Sequence, residues 1–197
     1  MSLLVVEGLS KRFGGLQAVK DLSFNVDEGG VVGLIGPNGA GKTTVFGLVS
    51  GFIRPDAGEV RFRGRSIVRA RPHEIVALGL ARTFQIVRPF PHLSVLRNVV
   101  VGALATEPAL LLLDEVMAGL NATETERILE LIGAINGRGI AVLLIEHVMR
   151  AVMSLSRRIV VINYGERIAE GPPSEVANDP RVIEAYLGEA YAGAPPA

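Results

Sequence analysis

Gly36-Pro37-Asn38-Gly39-Ala40-Gly41-Lys42-Thr43, with Thr44 after it, gathers three glycines, a lysine and two hydroxyls in one short stretch. The spacing satisfies G-x-x-x-x-G-K-[ST] in full. Glycines let the backbone turn and approach an anion closely. Backbone N–H groups at a helix N-terminus then point at phosphate oxygens. In such a loop Lys42 reaches the β- and γ-phosphates of a nucleotide, and Thr43 Oγ holds Mg²⁺. A glycine turn with a solvated lysine is the bland alternative, and the strand–turn–helix frame around the motif argues against it.

Further along, Ala109-Leu110-Leu111-Leu112-Leu113 ends in Asp114-Glu115. This apolar run closed by acids is the Walker B pattern. Asp114 at a strand end can accept from Mg²⁺-bound water or hold the metal's outer shell, and Mg²⁺ prefers carboxylate oxygens together with its own waters. Glu115 is then the candidate general base that orients or deprotonates the attacking water. Two solvated carboxylates before a turn would be the plain reading without the phosphate loop upstream. Gln85 can touch Mg²⁺ and water through its amide oxygen; taken alone it reads as a solvated loop residue. His147 follows the next apolar run and could donate to a γ-phosphate, or simply start a helix. Phe13 could stack on an adenine face or pack a β lobe. His73 and His92 have no partner at ligand spacing and are assigned no role.

These groups need elements that position them. Val31-Val32-Gly33-Leu34-Ile35 reads as a buried strand before the phosphate loop, and residues 44–49 as a helix after it. Residues 3–6 and 19–26 read as strands, the second with Leu22, Phe24 and Val26 on one face, separated by a turn at 10–15. Residues 58–67 carry Val60 and Phe62 in period two, with a tight turn at Gly64-Arg65. A short helix opens at Pro72. Strands are expected at 80–84, 109–113, 140–145 and 159–163, the last turning at Gly165-Glu166 into a partner at 167–170. Asn121 or Thr123 caps a helix with an apolar stripe of Ile128, Leu129, Leu131, Ile132 and Ile135. Short helices follow at 148–155, after Pro173, and around 182–187, and residues 193–197 are expected to fray. Strands and helices alternate from residue 31, so the fold class is α/β, a doubly wound P-loop NTPase sheet with a small antiparallel β lobe. Sites in such sheets lie at the carboxyl ends of strands, where Gln85, Asp114 with Glu115, and His147 all fall.

Composition narrows the function classes. The chain has 197 residues, 49% hydrophobic and 20% charged, as a globular domain does. Lys plus Arg and Asp plus Glu are both 20, so no overall electrostatic footprint for nucleic acid is present. No cysteine occurs, which leaves no disulfide frame and no thiolate zinc site. Residues 1–8 lack the regions of a signal peptide, and no uncharged apolar stretch of about 18 residues could span a bilayer.

Taken together, the phosphate loop, Gln85, Leu110-Leu111-Leu112-Leu113-Asp114-Glu115, Ala118-Gly119-Leu120-Asn121 and His147 resemble the ATP-binding subunit of ABC transporters. Residues 9–16, 81–85 and 164–171 resemble in particular the subgroup serving bacterial branched-chain amino-acid importers. The resemblance covers almost the whole chain. It implies that Phe13 stacks on adenine and that Gly36, Asn38, Gly39, Ala40, Gly41, Lys42, Thr43 and Thr44 hold ATP. It further implies that Thr43, Gln85 and Asp114 serve Mg²⁺, that Glu115 is the catalytic base, that residues 118–121 are the D-loop, and that His147 is the switch histidine. Lys42, Gln85, Glu115 and His147 would then carry the catalysis. Two such subunits, identical or homologous, clamp two ATP head to tail against membrane permease subunits on the cytoplasmic face. A periplasmic amino-acid-binding protein acts indirectly, and no nucleic acid is expected.

One departure matters. The family carries an all-helical subdomain between the Q-loop and Walker B, with an L-S-G-G-Q-type signature, and neither is present here. The sequence looks spliced near residues 102–103. The chain is therefore expected to be a single domain, 1–197, an ABC-type nucleotide-binding domain without its helical subdomain. Its β lobe would comprise about 1–30 and 58–68, its deletion joint would lie near 102–103, and residues 94–107 would run as one helix, since the mid-helix Gly102 costs only about 1 kcal/mol. An alternative function is a truncated nucleotide-binding module or regulatory partner without productive hydrolysis. A non-transport ABC ATPase acting on nucleic acid is disfavoured by the balanced charge. A GTPase is disfavoured because Gln85 and His147 have natural roles only in the ABC scheme.

Overall fold

The computed structural model describes residues 1–83 and 107–192, with side chains through residue 186. The first elements form a twisted antiparallel sheet. β1 (Ser2–Phe13) pairs with β2 (Leu16–Asp27) on one side and with β4 (Ala57–Phe62) on the other, and β5 (Arg65–Ser66) extends the edge. The turn expected at 10–15 shrinks to Gly14-Gly15, because Lys11, Arg12 and Phe13 pair with Val19, Gln17 and Leu16. Asp56 anchors this polar end, accepting from Lys11 Nζ and from the Arg12 N–H, both at 2.7 Å. The tight turn likewise moves one residue back, to Arg63-Gly64, both at positive φ, since Arg65 already pairs with Phe62.

The second sheet has the order β10-β9-β3-β8-β7-β6. Its members are β3 (Val31–Ile35), β6 (Leu80–Arg82), β7 (Leu110–Asp114), β8 (Ala141–Ile145), β9 (Arg158–Asn163) and β10 (Glu166–Gly171). All neighbours are parallel except the β9–β10 hairpin. That hairpin turns at Tyr164-Gly165, with φ of 47° and 81°, one residue earlier than expected. A two-residue turn with both central residues left-handed matches the twist of the flanking strands, and it frees Glu166 to pair with Asn163.

β3, β7 and β8 are buried along their whole length, which explains their unbroken apolar sequences. Alternate residues serve two cores. Leu34, Leu110, Leu112 and Leu143 pack with Phe24 and Phe62 of the antiparallel sheet and with Phe46 of α1 (Lys42–Val49). Ile35, Leu111, Leu113 and Leu144 pack against the opposite helical layer. That layer comprises α3 (Ala122–Gly137), α4 (Met149–Leu155), α5 (Pro173–Val176) and α6 (Pro180–Ala192), the last longer than the expected 182–187. α2 (Pro72–Ala77) starts at its proline as expected and buries Ile75 on the sheet side. Full burial of one leucine contributes about 1.5–3 kcal/mol, so the four leucines of β7 fix this strand firmly and with it the position of Asp114.

α3 begins with a reciprocal cap: Asn121 Oδ1 accepts from the Glu124 N–H, and the Glu124 carboxylate accepts from the Asn121 N–H, both at 3.0 Å. Of its apolar stripe, Ile128, Ile132 and Ile135 are fully buried and Leu129 and Leu131 flank them. Of the helix expected over 94–107, all but Glu107 lies outside the described residues, as does the joint near 102–103. Glu107 has a φ of 43° and so stands off any helix. The expected fraying of residues 193–197 also falls outside them.

Candidate functional site

β3 delivers the chain into the phosphate loop and α1 takes it away. Gly41 is the N-cap of α1 and offers no side-chain cap. The first-turn N–H groups of a helix lack intrahelical acceptors, so this uncapped end is built to receive an anion. Lys42 is 6% exposed, and its Nζ donates to the carbonyls of Gly36 (2.7 Å) and Pro37 (2.8 Å). The ammonium is thus folded back over its own loop.

The loop forms the floor of a cleft of about 370 Å³. Asn38, Gly39, Ala40, Gly41, Lys42, Thr43 and Thr44 line it together with Phe13, Leu16, Tyr164 and Glu115. Phe13, half-exposed at the tip of the β1–β2 hairpin, presents its ring beside the Lys11 ammonium, 5.4 Å from the ring centre. Three segments meet behind the loop: the Gly165 N–H donates to the Ala40 carbonyl (3.0 Å), and the Gly165 carbonyl accepts from the Lys20 N–H (2.9 Å). The β9–β10 turn therefore joins the phosphate loop to the hairpin that carries Phe13.

Asp114 ends β7 and Glu115 leaves it with a φ of 49°. A left-handed non-glycine residue costs about 1–3 kcal/mol and is held only by surrounding structure. Here the Glu115 N–H donates to the Ile145 carbonyl at 2.9 Å. Glu115 Oε1 lies 2.5 Å from His147 Nε2, so the structure brings these two side chains together. Asp114 is 3% exposed, and its Oδ2 accepts from Arg82 Nη2 at 2.9 Å. Arg82 also donates to Ser50 Oγ (3.2 Å) and lies over the Phe46 ring, tying β6, β7 and the end of α1 together around Asp114. Thr43 in the cleft and Asp114 beside Glu115 are hard oxygen donors of the kind Mg²⁺ takes, so the residues present fit that ion. Gln85 lies outside the described residues.

Sequence reasoning assigned no role to Arg82, Tyr164, Leu16, Gln17, Ala18 or Glu146. The Asn-Tyr-Gly-Glu stretch carries a turn signal, and Tyr164 opens the resembling stretch 164–171, but neither places it beside the loop. Arg82 stood within the resembling stretch 81–85. Glu146 had no sequence signal beyond its place next to His147.

The family model for ABC transporters matches residues 19–136, and a model described as the branched-chain amino acid ATP-binding cassette transporter matches residues 166–192. The high-affinity branched-chain amino acid transport ATP-binding protein LivG of Salmonella typhimurium is 36% identical, over 95% of this chain and 98% of its own length. BraF of Pseudomonas aeruginosa, with the same description, is 37% identical over the same shares. Both alignments run over 251 positions, more than the 197 residues here, so these relatives hold segments without a counterpart in this chain. Among solved structures, a nucleotide-free ATP-binding cassette from an ABC transporter superposes with a TM-score of 0.86 at 26% identity, over 94% of this chain and 99% of that one. The ADP conformation of an ATP-binding cassette gives the same TM-score and identity over 95% and 99%.

Proposed function

The chain belongs to the ABC transporter family, and from that premise we propose that it is the ATP-binding and hydrolysing subunit of a membrane importer for branched-chain amino acids. One observation carries the reading: a single cleft joins the phosphate loop, Phe13 and Glu115, with His147 at 2.5 Å from Glu115. The branched-chain assignment is supported by the names of LivG and BraF and by the C-terminal family match. Among the described residues no helix is long and apolar enough to cross a membrane. The subunit would act on the cytoplasmic face through permease subunits, paired with a second ATP-binding subunit and served by a periplasmic binding protein.

In this mechanism Phe13 stacks on the adenine, the loop amides and Lys42 hold the phosphates, and Glu115 orients the attacking water and takes its proton. His147 holds the Glu115 carboxylate and contacts the γ-phosphate. Thr43, Asp114 and Gln85 would hold Mg²⁺, which supplies charge neutralisation on the phosphates when bound. Arg82 keeps the Asp114 carboxylate oriented.

Binding of a fluorescent ATP analogue, followed by anisotropy with and without Mg²⁺, tests the reading. A charge-assisted contact contributes about 1.5–3 kcal/mol, so Lys42→Ala should weaken affinity about 10- to 100-fold. Equal affinity in the variant and the parent would overturn the assignment. A second reading, a nucleotide-binding module without productive turnover, is favoured by the missing signature motif and by the 251-position alignments to a 197-residue chain. Turnover in the presence of an intact homologous cassette separates the two.

A further inference from the structure

Two turns leave neighbouring strands side by side. The β7–β8 ladder ends at the pair Asp114 and Ile145. Beyond it, residues 115–120 and 146–148 carry Glu115, which lines the cleft, and His147, which rests against Glu115, and something other than the ladder must hold them in register. Two of the connecting contacts involve Glu115, through its N–H to the Ile145 carbonyl and its carboxylate to His147. A further contact is made by Glu146. Its carboxylate is buried, at 3% exposed, and Oε1 accepts from the Met117 N–H at 2.9 Å.

A buried backbone N–H must find an acceptor, and the Met117 side chain, itself 2% exposed, is seated in the helical-side core. The Met117 amide is therefore fixed between core packing and one carboxylate. From this point the turn continues through the Leu120 N–H to the Met117 carbonyl at 3.2 Å and reaches Asn121, the cap of α3. A carboxylate in this place is costly: burial pushes the Glu146 carboxyl above its ordinary value, against the pull of the Met117 and His147 N–H groups. An apolar residue would suit the burial and would leave the Met117 N–H unsatisfied.

We propose that Glu146 is a positioning residue for the reaction: by holding the Met117 amide it sets the Glu115 carboxylate against His147 and fixes the start of the 118–121 turn. It does not touch nucleotide, and its role rests on the ATPase reading only for the rate. Its placement of Glu115 and His147 is testable without any nucleotide.

The experiment compares Glu146→Leu and Glu146→Gln with the parent in three measurements: amide hydrogen exchange at Met117, the imidazole resonances of His147 with His73 on α2 as internal control, and ATP affinity with turnover. In Glu146→Leu, Met117 exchange should accelerate at least about 10-fold, and the His147 resonances should move while those of His73 stay. ATP affinity should remain within about two-fold, and kcat should fall about 10-fold at unchanged KM. Glu146→Gln keeps an acceptor oxygen and should restore all of these. Should the leucine variant not fold, Glu146→Asp, which withdraws the acceptor by one methylene, should show the same changes in milder form. Unchanged Met117 exchange and His147 resonances in the folded leucine or aspartate variant would overturn the proposal, and so would failure of glutamine to restore them. Absence of turnover in the parent chain even with an intact homologous cassette would count against the ATPase reading while leaving the exchange and resonance results to decide the role of Glu146.

Discussion

Glu115 is held in a backbone conformation that a side-chain-bearing residue rarely adopts, and its carboxylate rests against His147 at 2.5 Å. The strain is sensible only if the carboxylate has to stand there. Glu115→Gln keeps the volume and removes the base, so ATP affinity should persist while single-turnover hydrolysis drops about 10²- to 10⁴-fold; quench-flow measurement checks it, and an unaltered rate would remove Glu115 from the base role. Glu146, one strand away, gives a stability signature. Burial raises its folded carboxyl above the unfolded value, so folding favours the protonated form. The stabilising contribution of that proton is complete below the unfolded value of 4.5 and is lost as pH rises through the raised folded value. Glu146→Gln has no such loss. It should melt above the parent at pH 8, and the gap should narrow steadily toward pH 4 in a thermal series.

The junction behind the phosphate loop is an element-scale device, since β2, the loop and the β9–β10 turn meet through Gly165. A Cβ there would stand 2.8 Å from the Ala18 carbonyl oxygen and 2.9 Å from Val19 Cα, at a φ of +81°. Gly139, after α3, has a similar φ of +87° and open space around it. Gly139→Ala should therefore cost only the left-handed strain, about 1 kcal/mol, whereas Gly165→Ala should cost about 2–3 kcal/mol and weaken ATP binding by displacing the Phe13 hairpin. Urea denaturation of the two variants separates strain from close approach; equal losses would mean that the junction yields freely. This junction also marks what the sequence could show. β3, β7 and β8 were legible because burial on both faces demands unbroken apolar runs, and α3 because Asn121 and Glu124 cap it at fixed spacing. The hairpin ends were misplaced at Ser10 and at Gly165, because polar residues such as Lys11 and Arg12 are paired there by the backbone and leave no hydrophobic pattern. The phosphate loop and the Asp114-Glu115 pair were legible as local motifs. The parts joined across the fold, Arg82 to Asp114 and Glu146 to Met117, were not, because each depends on strands distant in sequence becoming neighbours.

At the scale of the whole molecule, the family resemblance calls for a second subunit to complete the site. Phe13, the phosphate loop and Glu115 come from this chain. In that resemblance, the donors that close over the γ-phosphate come from a partner's signature motif, which is missing from this sequence, and the longer relatives hold segments without a counterpart here. Two copies of the chain would thus build two sites that both lack those donors. Each preorganised donor lost typically costs about 10²–10³ in rate, so the chain alone should bind ATP and turn it over very slowly. An intact homologous cassette changes the arithmetic, because its signature would complete the site on this chain's phosphate loop while its own site stayed incomplete. Mixing the two with ATP, with Glu115→Gln in this chain to trap the bound state, should give a one-to-one heterodimer by light scattering. With Glu115 intact, turnover should rise at least about 10²-fold over the chain alone, and a Lys42→Ala substitution in this chain should abolish the rise. A heterodimer without that rise would assign the chain to the non-productive class, and no ATP-dependent dimer at all would remove the shared-site arrangement.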